Sequence, residues 1–225
     1  MKKLLLITIV LCSSVTIFAQ QKGRFRISIE AGLGYRIAEI PDNILPELED
    51  HIKDLRTGLN IEAHASYFLS SNYGLGIHFS NFSTENTVQF RNGVNLNGTI
   101  ANETSDDINI SFIAPEFLYR SISANGKHSF ITSISVGYLS YLDESTINRV
   151  PLEIKGGNVG FGLGFMYDYH ITPSIAIGAN LNFLGGSLRK VDFTANGQTQ
   201  EIEFEDENRE NLSRINLSAG MRFYL

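Results

Sequence analysis

The chain has 225 residues, a formal net charge of −6 and a hydrophobic residue content of 43%. This length suits one domain of any fold class, and an acidic chain without a basic stripe is not expected to bind nucleic acid. Beyond its first residues, the sequence has no apolar stretch long enough for a transmembrane helix.

The N-terminus has the pattern of a cleaved export signal. Two lysines precede a short apolar run over 4–11, and small or polar residues lead to a cleavage site after Ala19. An uncleaved anchor and a lipoprotein signal are the alternatives, but the run is short for a membrane span, and Leu11 stands where a lipoprotein signal normally has a small residue. We predict a Sec-type signal peptide over 1–19 and a mature domain over 20–225, which contains no cysteine and hence no disulfide.

Alternation of apolar with polar or small residues dominates the mature chain, and a period of two is typical of β-strands. In the first such segment, Phe25, Ile27 and Ile29 share one face. Eight segments show the pattern, each about long enough to cross a bilayer when tilted. Pro115, in the fourth segment, predicts a β-bulge. The predicted strands are 24–37, 59–69, 73–80, 108–120, 129–142, 158–170, 175–183 and 214–225.

The connections between these segments alternate strictly between short and long. The short ones are built around "SSN", "SANGKH" and "TP". The long ones are 39–57, 84–107, 143–156 and 185–211. This asymmetry is typical of outer-membrane barrels, which have short periplasmic turns and long external loops.

Alternation alone does not say which face meets solvent, because a soluble periplasmic barrel of the lipocalin type would bury its apolar face. Three features favour an apolar exterior. The polar faces are rich in Gly, Ser and Asn, which suit a narrow, crowded lumen, and they carry charges of both signs. Aromatic residues lie near strand ends on the apolar faces, as at Tyr35, Tyr73 and Tyr169. The charged residues of the polar faces are Arg24, Arg26, Glu30, Arg36, Glu62, Asp168, Arg214 and Arg222.

We therefore predict an all-β fold: an eight-stranded antiparallel up-and-down transmembrane β-barrel with short periplasmic turns and long external loops. The barrel is expected to close, because lipid cannot satisfy the hydrogen bonds of an open sheet edge. A barrel of this size is filled by its own side chains, so a wide diffusion pore is not expected.

Four segments carry a resemblance to a known family: "AGLGY", "APEFLYR", "GFGLGFMYDYHITP" and "LSAGMRFYL". Together with the signal and the eight strands, they resemble the small outer-membrane barrels of the OmpA/OmpX type, grouped as the outer membrane protein beta-barrel domain (porin family) of Gram-negative bacteria. The resemblance implies a barrel in the cell outer membrane, surrounded by its lipids. It also implies that the insertion machinery reads the C-terminal strand. Leu225 stands where the family usually ends on an aromatic residue.

Glu62, His64 and Ser66 are spaced at i, i+2 and i+4, and a hydrolase could use such a set with serine as nucleophile and histidine as base. The spacing also resembles the His-x-Ser element of outer-membrane lipid A deacylases. Those enzymes act on lipid, whereas these residues are predicted to face the lumen. A polar lumen network that includes His78 is therefore favoured. We predict no catalytic residue, no metal site and no cofactor.

The segment 192–203 matches the spacing of a calcium loop, with Asp192 and Glu203 at its first and last positions. A hairpin turned by Asn196 and Gly197 within an external loop is the favoured interpretation.

The first long loop predicts a short amphipathic helix within 43–57, because Leu48, Ile52 and Leu55 are spaced for one helical face. Packing of this helix on its own loops is favoured over capping of the barrel mouth.

The functional expectation is a monomeric, non-enzymatic outer-membrane protein with a structural or surface-interaction role. Its external loops would bind an extracellular ligand that the sequence does not identify. The alternatives are a narrow porin-like channel, a lipid-modifying outer-membrane enzyme and a soluble periplasmic barrel.

Overall fold

The computed structural model describes residues 23–37, 45–96, 99–205 and 209–225. The predicted signal peptide lies outside these ranges. Within them the chain forms one helix, α1 (Pro46–Asp54), and twelve strands. The strands are β1 (Phe25–Arg36), β2 (Thr57–Phe68), β3 (Tyr73–Leu96), β4 (Thr99–Ile122), β5 (His128–Ile147), β6 (Val150–His170), β7 (Ile175–Gly185), β8 (Ser187–Leu188), β9 (Lys190–Ala195), β10 (Gln198–Glu203), β11 (Glu210–Asn211) and β12 (Arg214–Tyr224).

Eight of these strands form a closed antiparallel ring in the order β1 to β7, then β12, which pairs back onto β1. Ile29 of β1 pairs with Met221 of β12 on one side and with Ala63 of β2 on the other. The β6–β7 pairing, in which Leu163 lies opposite Phe183, completes the circle. The predicted eight-stranded barrel is confirmed, and the predicted last strand is the closing one.

Two of the predicted long loops are instead continuations of barrel strands. β3 and β4 remain paired from the barrel through Gln89, where the register shifts before it resumes at Val94. β5 and β6 are paired up to a two-residue turn at Asn148 and Arg149, whose φ angles of 50° and 68° are those of a type I′ hairpin turn. The sequence pattern missed these strands because many of their buried positions, such as Thr84, Thr104 and Ser145, are polar and their other face is not apolar, so no apolar alternation marks them.

The β-bulge predicted at Pro115 is absent. Between the pairs Ile113–Tyr138 and Glu116–Ser135, β4 and β5 each contribute two residues, so neither strand carries an extra one. Pro115 lacks the N–H group that a ladder hydrogen bond needs, and pairing with β5 is interrupted there without a change of register.

The outer surface of the ring is a continuous apolar belt. Ile134 on β5 is 57% exposed, and its neighbour across the ladder, Leu163 on β6, is 41% exposed. Tyrosines lie at the two rims of the belt. They are Tyr35, Tyr73, Tyr119, Tyr138 and Tyr169. Such a surface is far larger than the apolar patches of soluble proteins, and the aromatic rims fit the headgroup level of a bilayer.

The predicted loop helix is confirmed as α1, with Pro46 in its first turn. It packs on β3, where the side-chain amide of Asn86 donates to the carbonyl of His51 and to the carboxylate of Asp54. Leu55, just after the helix, belongs to the buried apolar cluster that continues into the barrel. The segment therefore packs on its neighbouring strands and also contributes to the barrel mouth.

Among the described residues, no helix is long and apolar enough to cross a membrane.

Replacing Ile134 by arginine is expected to lower the free energy of unfolding from lipid vesicles by about 2–4 kcal/mol, because a guanidinium would face the hydrocarbon near the middle of the belt. Ile202→Arg, on the exposed β10 outside the belt, is the matched control and should change stability by less than about 0.5 kcal/mol. Urea unfolding of both variants in vesicles measures the difference. An equally small loss of unfolding free energy in both variants would contradict a lipid-facing belt.

Candidate functional site: the lumen and the extracellular sheet

The inward-facing side chains of the eight barrel strands fill the lumen. They form a charged layer near the periplasmic end, a polar layer in the middle and an apolar layer toward the extracellular end. This arrangement follows from strand alternation, which turns every second residue into the barrel. At the periplasmic rim, the guanidinium of Arg120 lies 3.6 Å from the ring centroid of Phe68.

The charged layer is organised around Asp168 of β6, which is fully buried. Arg26 donates to its two carboxylate oxygens through Nε at 2.8 Å and Nη2 at 3.1 Å, and Nε of Arg222 donates to it at 3.0 Å. The hydroxyl of Tyr224 also donates to this carboxylate. Arg222 further pairs with Glu30 at 3.0 Å. Residues of β1, β6 and β12 are thereby joined across the lumen by charge-assisted hydrogen bonds.

The middle layer contains the predicted set of Glu62, His64 and Ser66, all buried in the lumen. Ser66 donates to Glu116 at 3.2 Å, and Nδ1 of His64 lies 3.1 Å from the same carboxylate. The serine proton is therefore directed to Glu116 rather than to the histidine that a nucleophilic serine would need. His78 stacks on His64 with ring centroids 4.2 Å apart. The predicted polar network with His78 is confirmed.

Above this network the lumen is apolar, which the sequence analysis did not predict. The side chains of this layer are at most 1% exposed. They are Phe82, Ile110, Phe112, Leu139 and Leu184. The available signal was the irregular alternation of the fourth predicted strand, where apolar residues occupy both faces. Together with the charged layer, this apolar layer leaves the barrel interior occupied by side chains.

At the extracellular mouth, polar residues connect α1 to the barrel. Nε2 of His51 lies 2.6 Å from a carboxylate oxygen of Asp106, and Tyr141 donates to Asp143 at 3.2 Å. Burial, together with the nearby charge of Asp106, raises the pKa of Asp143 to about 6. The contact of His51 with Asp106 therefore joins α1 to β4 at the barrel mouth.

The segment 192–203 forms the hairpin expected from its sequence. Asn196 and Gly197, with φ angles of 51° and 75°, join β9 to β10, and Asp192 lies opposite Glu201. An EF-hand loop curls its ligands around one ion, whereas this segment is an extended ladder. Lys190 forms a 2.7 Å ion pair with Glu201.

Beyond the membrane belt the strands continue as an extracellular sheet in the order β10-β9-β6-β5-β4-β3. β9 pairs with the upper part of β6, from Gly156 opposite Val191 to Leu152 opposite Ala195. β10 pairs only with β9 in the described part of the chain. The sheet therefore ends in an open edge that projects from the barrel.

A closed barrel with an apolar exterior, aromatic rims and a charged lumen has the architecture of a small transmembrane β-barrel of the outer-membrane type. Among solved structures, the chain is similar to Neisserial surface protein A, with 11% sequence identity and a TM-score of 0.54 over 91% of this chain and 99% of that one. It is also similar to a major outer membrane protein from Thermus thermophilus, with 12% identity and a TM-score of 0.58 over 89% of this chain and 99% of that one. At these identities the likeness concerns the fold. No protein-family model matches the sequence, and no curated protein sequence matches it.

Replacing Asp168 by asparagine is expected to lower the free energy of unfolding by about 3–5 kcal/mol, because Arg26 and Arg222 would lose a carboxylate that they share in the buried lumen. Glu153→Gln removes an exposed pair with Lys155 and is expected to cost less than about 1 kcal/mol. Urea unfolding in detergent micelles measures both changes. Similar small losses in the two variants would contradict the central role of Asp168.

Proposed function

We propose that this protein is a non-enzymatic barrel of the Gram-negative outer membrane that presents its extracellular sheet to another polypeptide. The main supporting observation is the open sheet edge at β10. This edge lies beyond the membrane belt, on a barrel whose interior is filled by its own side chains. Exposed sheet edges bind extended segments by adding a strand, with main-chain hydrogen bonds that require no pocket. The predicted signal peptide would provide export.

The β10 edge offers a regular row of backbone donors. Across the hairpin, the N–H of Phe204 donates to the carbonyl of Arg189, so the even-numbered residues of β10 point their N–H groups toward β9. Thr199 faces Thr194 with hydroxyl oxygens 2.9 Å apart, as in a non-hydrogen-bonded pair. The N–H groups of Thr199, Glu201 and Glu203 therefore point outward.

The acidic charge of this edge favours a basic partner. Within residues 190–205, four acidic side chains stand against one lysine, and that lysine is already paired with Glu201. All six residues of β10 are exposed. An extended segment with basic side chains complements this edge in both hydrogen bonding and charge.

Thr199→Pro is expected to weaken binding of a labelled strand-forming peptide of alternating Lys and Val by about tenfold or more, because proline removes one outward donor and blocks the edge. Thr199→Val keeps the N–H and is the matched control, with unchanged affinity. Fluorescence anisotropy on folded protein in detergent measures both. An acidic peptide of the same length should bind less tightly. Unchanged binding to the proline variant, or no binding to wild type, would contradict the proposal.

A narrow porin-like channel is the second candidate. The apolar layer from Phe82 to Leu184 lies across the route that ions would take, and its side chains are fully buried. These observations favour a barrel that serves as an anchor for the sheet.

In planar lipid bilayers the folded protein is therefore expected to give no step-like single-channel currents. A wide porin recorded in the same membrane controls for sensitivity. Reproducible unitary currents from the purified protein would promote the channel function.

The lipid-modifying enzyme receives no support from the predicted set, since His64 and Ser66 lie inside the barrel and both contact Glu116. For partners, we propose outer-membrane lipids around the belt and a barrel insertion machinery that reads β12. A monomer suffices for this arrangement, because the ring closes within one chain.

A further inference from the structure

The middle of the lumen brings together three metal-binding side chains. Glu62 and His64 are two residues apart on β2, and His78 lies directly opposite His64 on β3. Each offers one ligand atom, and these atoms all lie within 4.8 Å of one another. Two positions on one strand and a third across the ladder place three ligands on one side of a cation, as a tetrahedral site requires.

Glu116 orients the imidazole of His64 for metal binding. Its carboxylate accepts from Nδ1 of His64 at 3.1 Å and is itself held by the hydroxyl of Ser66. A carboxylate on one imidazole nitrogen fixes the tautomer and leaves the lone pair of the other, Nε2, available to a metal. Nε2 of His64 faces the interior of the network, 3.4 Å from the amide nitrogen of Asn180.

Two asparagines of β7 face the same point through their amide nitrogens. Nδ2 of Asn180 lies 2.6 Å from a carboxylate oxygen of Glu62, and Nδ2 of Asn182 lies 3.2 Å from Nε2 of His78. The Oδ1 atoms of both asparagines are buried and have no hydrogen-bond partner among the described residues. An unpaired buried oxygen is costly, and amide oxygens are cation ligands. Rotation of the Asn180 amide by half a turn would bring Oδ1 to the position of Nδ2 and give this oxygen a bound cation as its partner.

We propose that Glu62, His64 and His78 bind one divalent transition-metal ion of the zinc class inside the barrel. Asn180 of β7 is the fourth ligand, with its amide rotated so that Oδ1 rather than Nδ2 faces the ion. Imidazole and carboxylate donors select this class over calcium or magnesium. Because imidazole lone pairs lie in the ring planes, binding turns one ring out of the parallel His64–His78 stack. The ion enters as the barrel folds, since the site is buried. The proposal departs from the sequence-based expectation of no metal.

The test uses untagged protein refolded in detergent with equimolar Co²⁺, a spectroscopic substitute for Zn²⁺, followed by gel filtration. Elemental analysis should find one cobalt per chain, with visible absorption bands of a four-coordinate site that are absent when the protein is refolded with Zn²⁺ instead. His78→Ala should lose the bands. Glu116→Gln removes the carboxylate that positions His64 but none of the proposed ligands, and it should weaken affinity by about 10–100-fold.

His128→Ala is the matched control, because His128 contacts Tyr167 at the periplasmic end and lies outside the cluster. It should retain the cobalt in full. Circular dichroism confirms folding of each variant, and Glu62→Gln replaces His78→Ala if that variant fails to fold. Absence of bound cobalt in the wild type would overturn the proposal. If His78→Ala and Glu62→Gln both bound as much cobalt as the wild type, the proposal would be overturned as well. Loss of cobalt binding in His128→Ala would also overturn it.

Discussion

Pairing between β1 and β12 is the interaction on which the architecture depends, because a lipid bilayer offers no hydrogen-bond partner to an open sheet edge. Their ladder extends from Arg26 opposite Tyr224 to Arg36 opposite Arg214, so it covers the full height of the barrel. Once the ring is closed, strand alternation divides the residues into an apolar exterior and a crowded interior. The apolar belt, the charged layer and the apolar layer follow from this division.

The narrow interior imposes a second constraint, because a buried charge needs nearby partners of opposite charge or hydrogen-bond donors. The carboxylate of Asp168 has such partners, since it accepts hydrogen bonds from Arg26, Arg222 and Tyr224. These three residues come from the two strands that close the ring. The same residues thus reinforce the β1–β12 closure from inside. Arginine suits this position because its planar group binds several acceptors at once, including the carbonyls of Gly178 and Gly220 for Arg222.

The barrel was predictable from the sequence because the membrane imposes a strict period of two on each spanning strand. Outside the membrane this constraint ends, and the extensions of β3 and β4 over 84–107 were consequently expected to be a loop. Pro115 was misjudged because the loss of an N–H group does not require an extra residue. The lumen network of His64 was recognised from spacing alone. The inward position of Phe112 was missed, since an apolar residue on the polar face breaks the rule that defined the faces.

In the proposed function, a barrel filled by its own side chains anchors the extracellular sheet in the outer membrane. This function requires the chain to fold as a lipid-embedded barrel, and heat-modifiable gel mobility tests that fold most directly. In the outer-membrane fraction, unheated protein in dodecyl sulfate should migrate separately from boiled protein, because the closed ladder resists the detergent until heated. Identical migration before and after boiling, or recovery of the protein in the soluble periplasm, would contradict a lipid-embedded barrel.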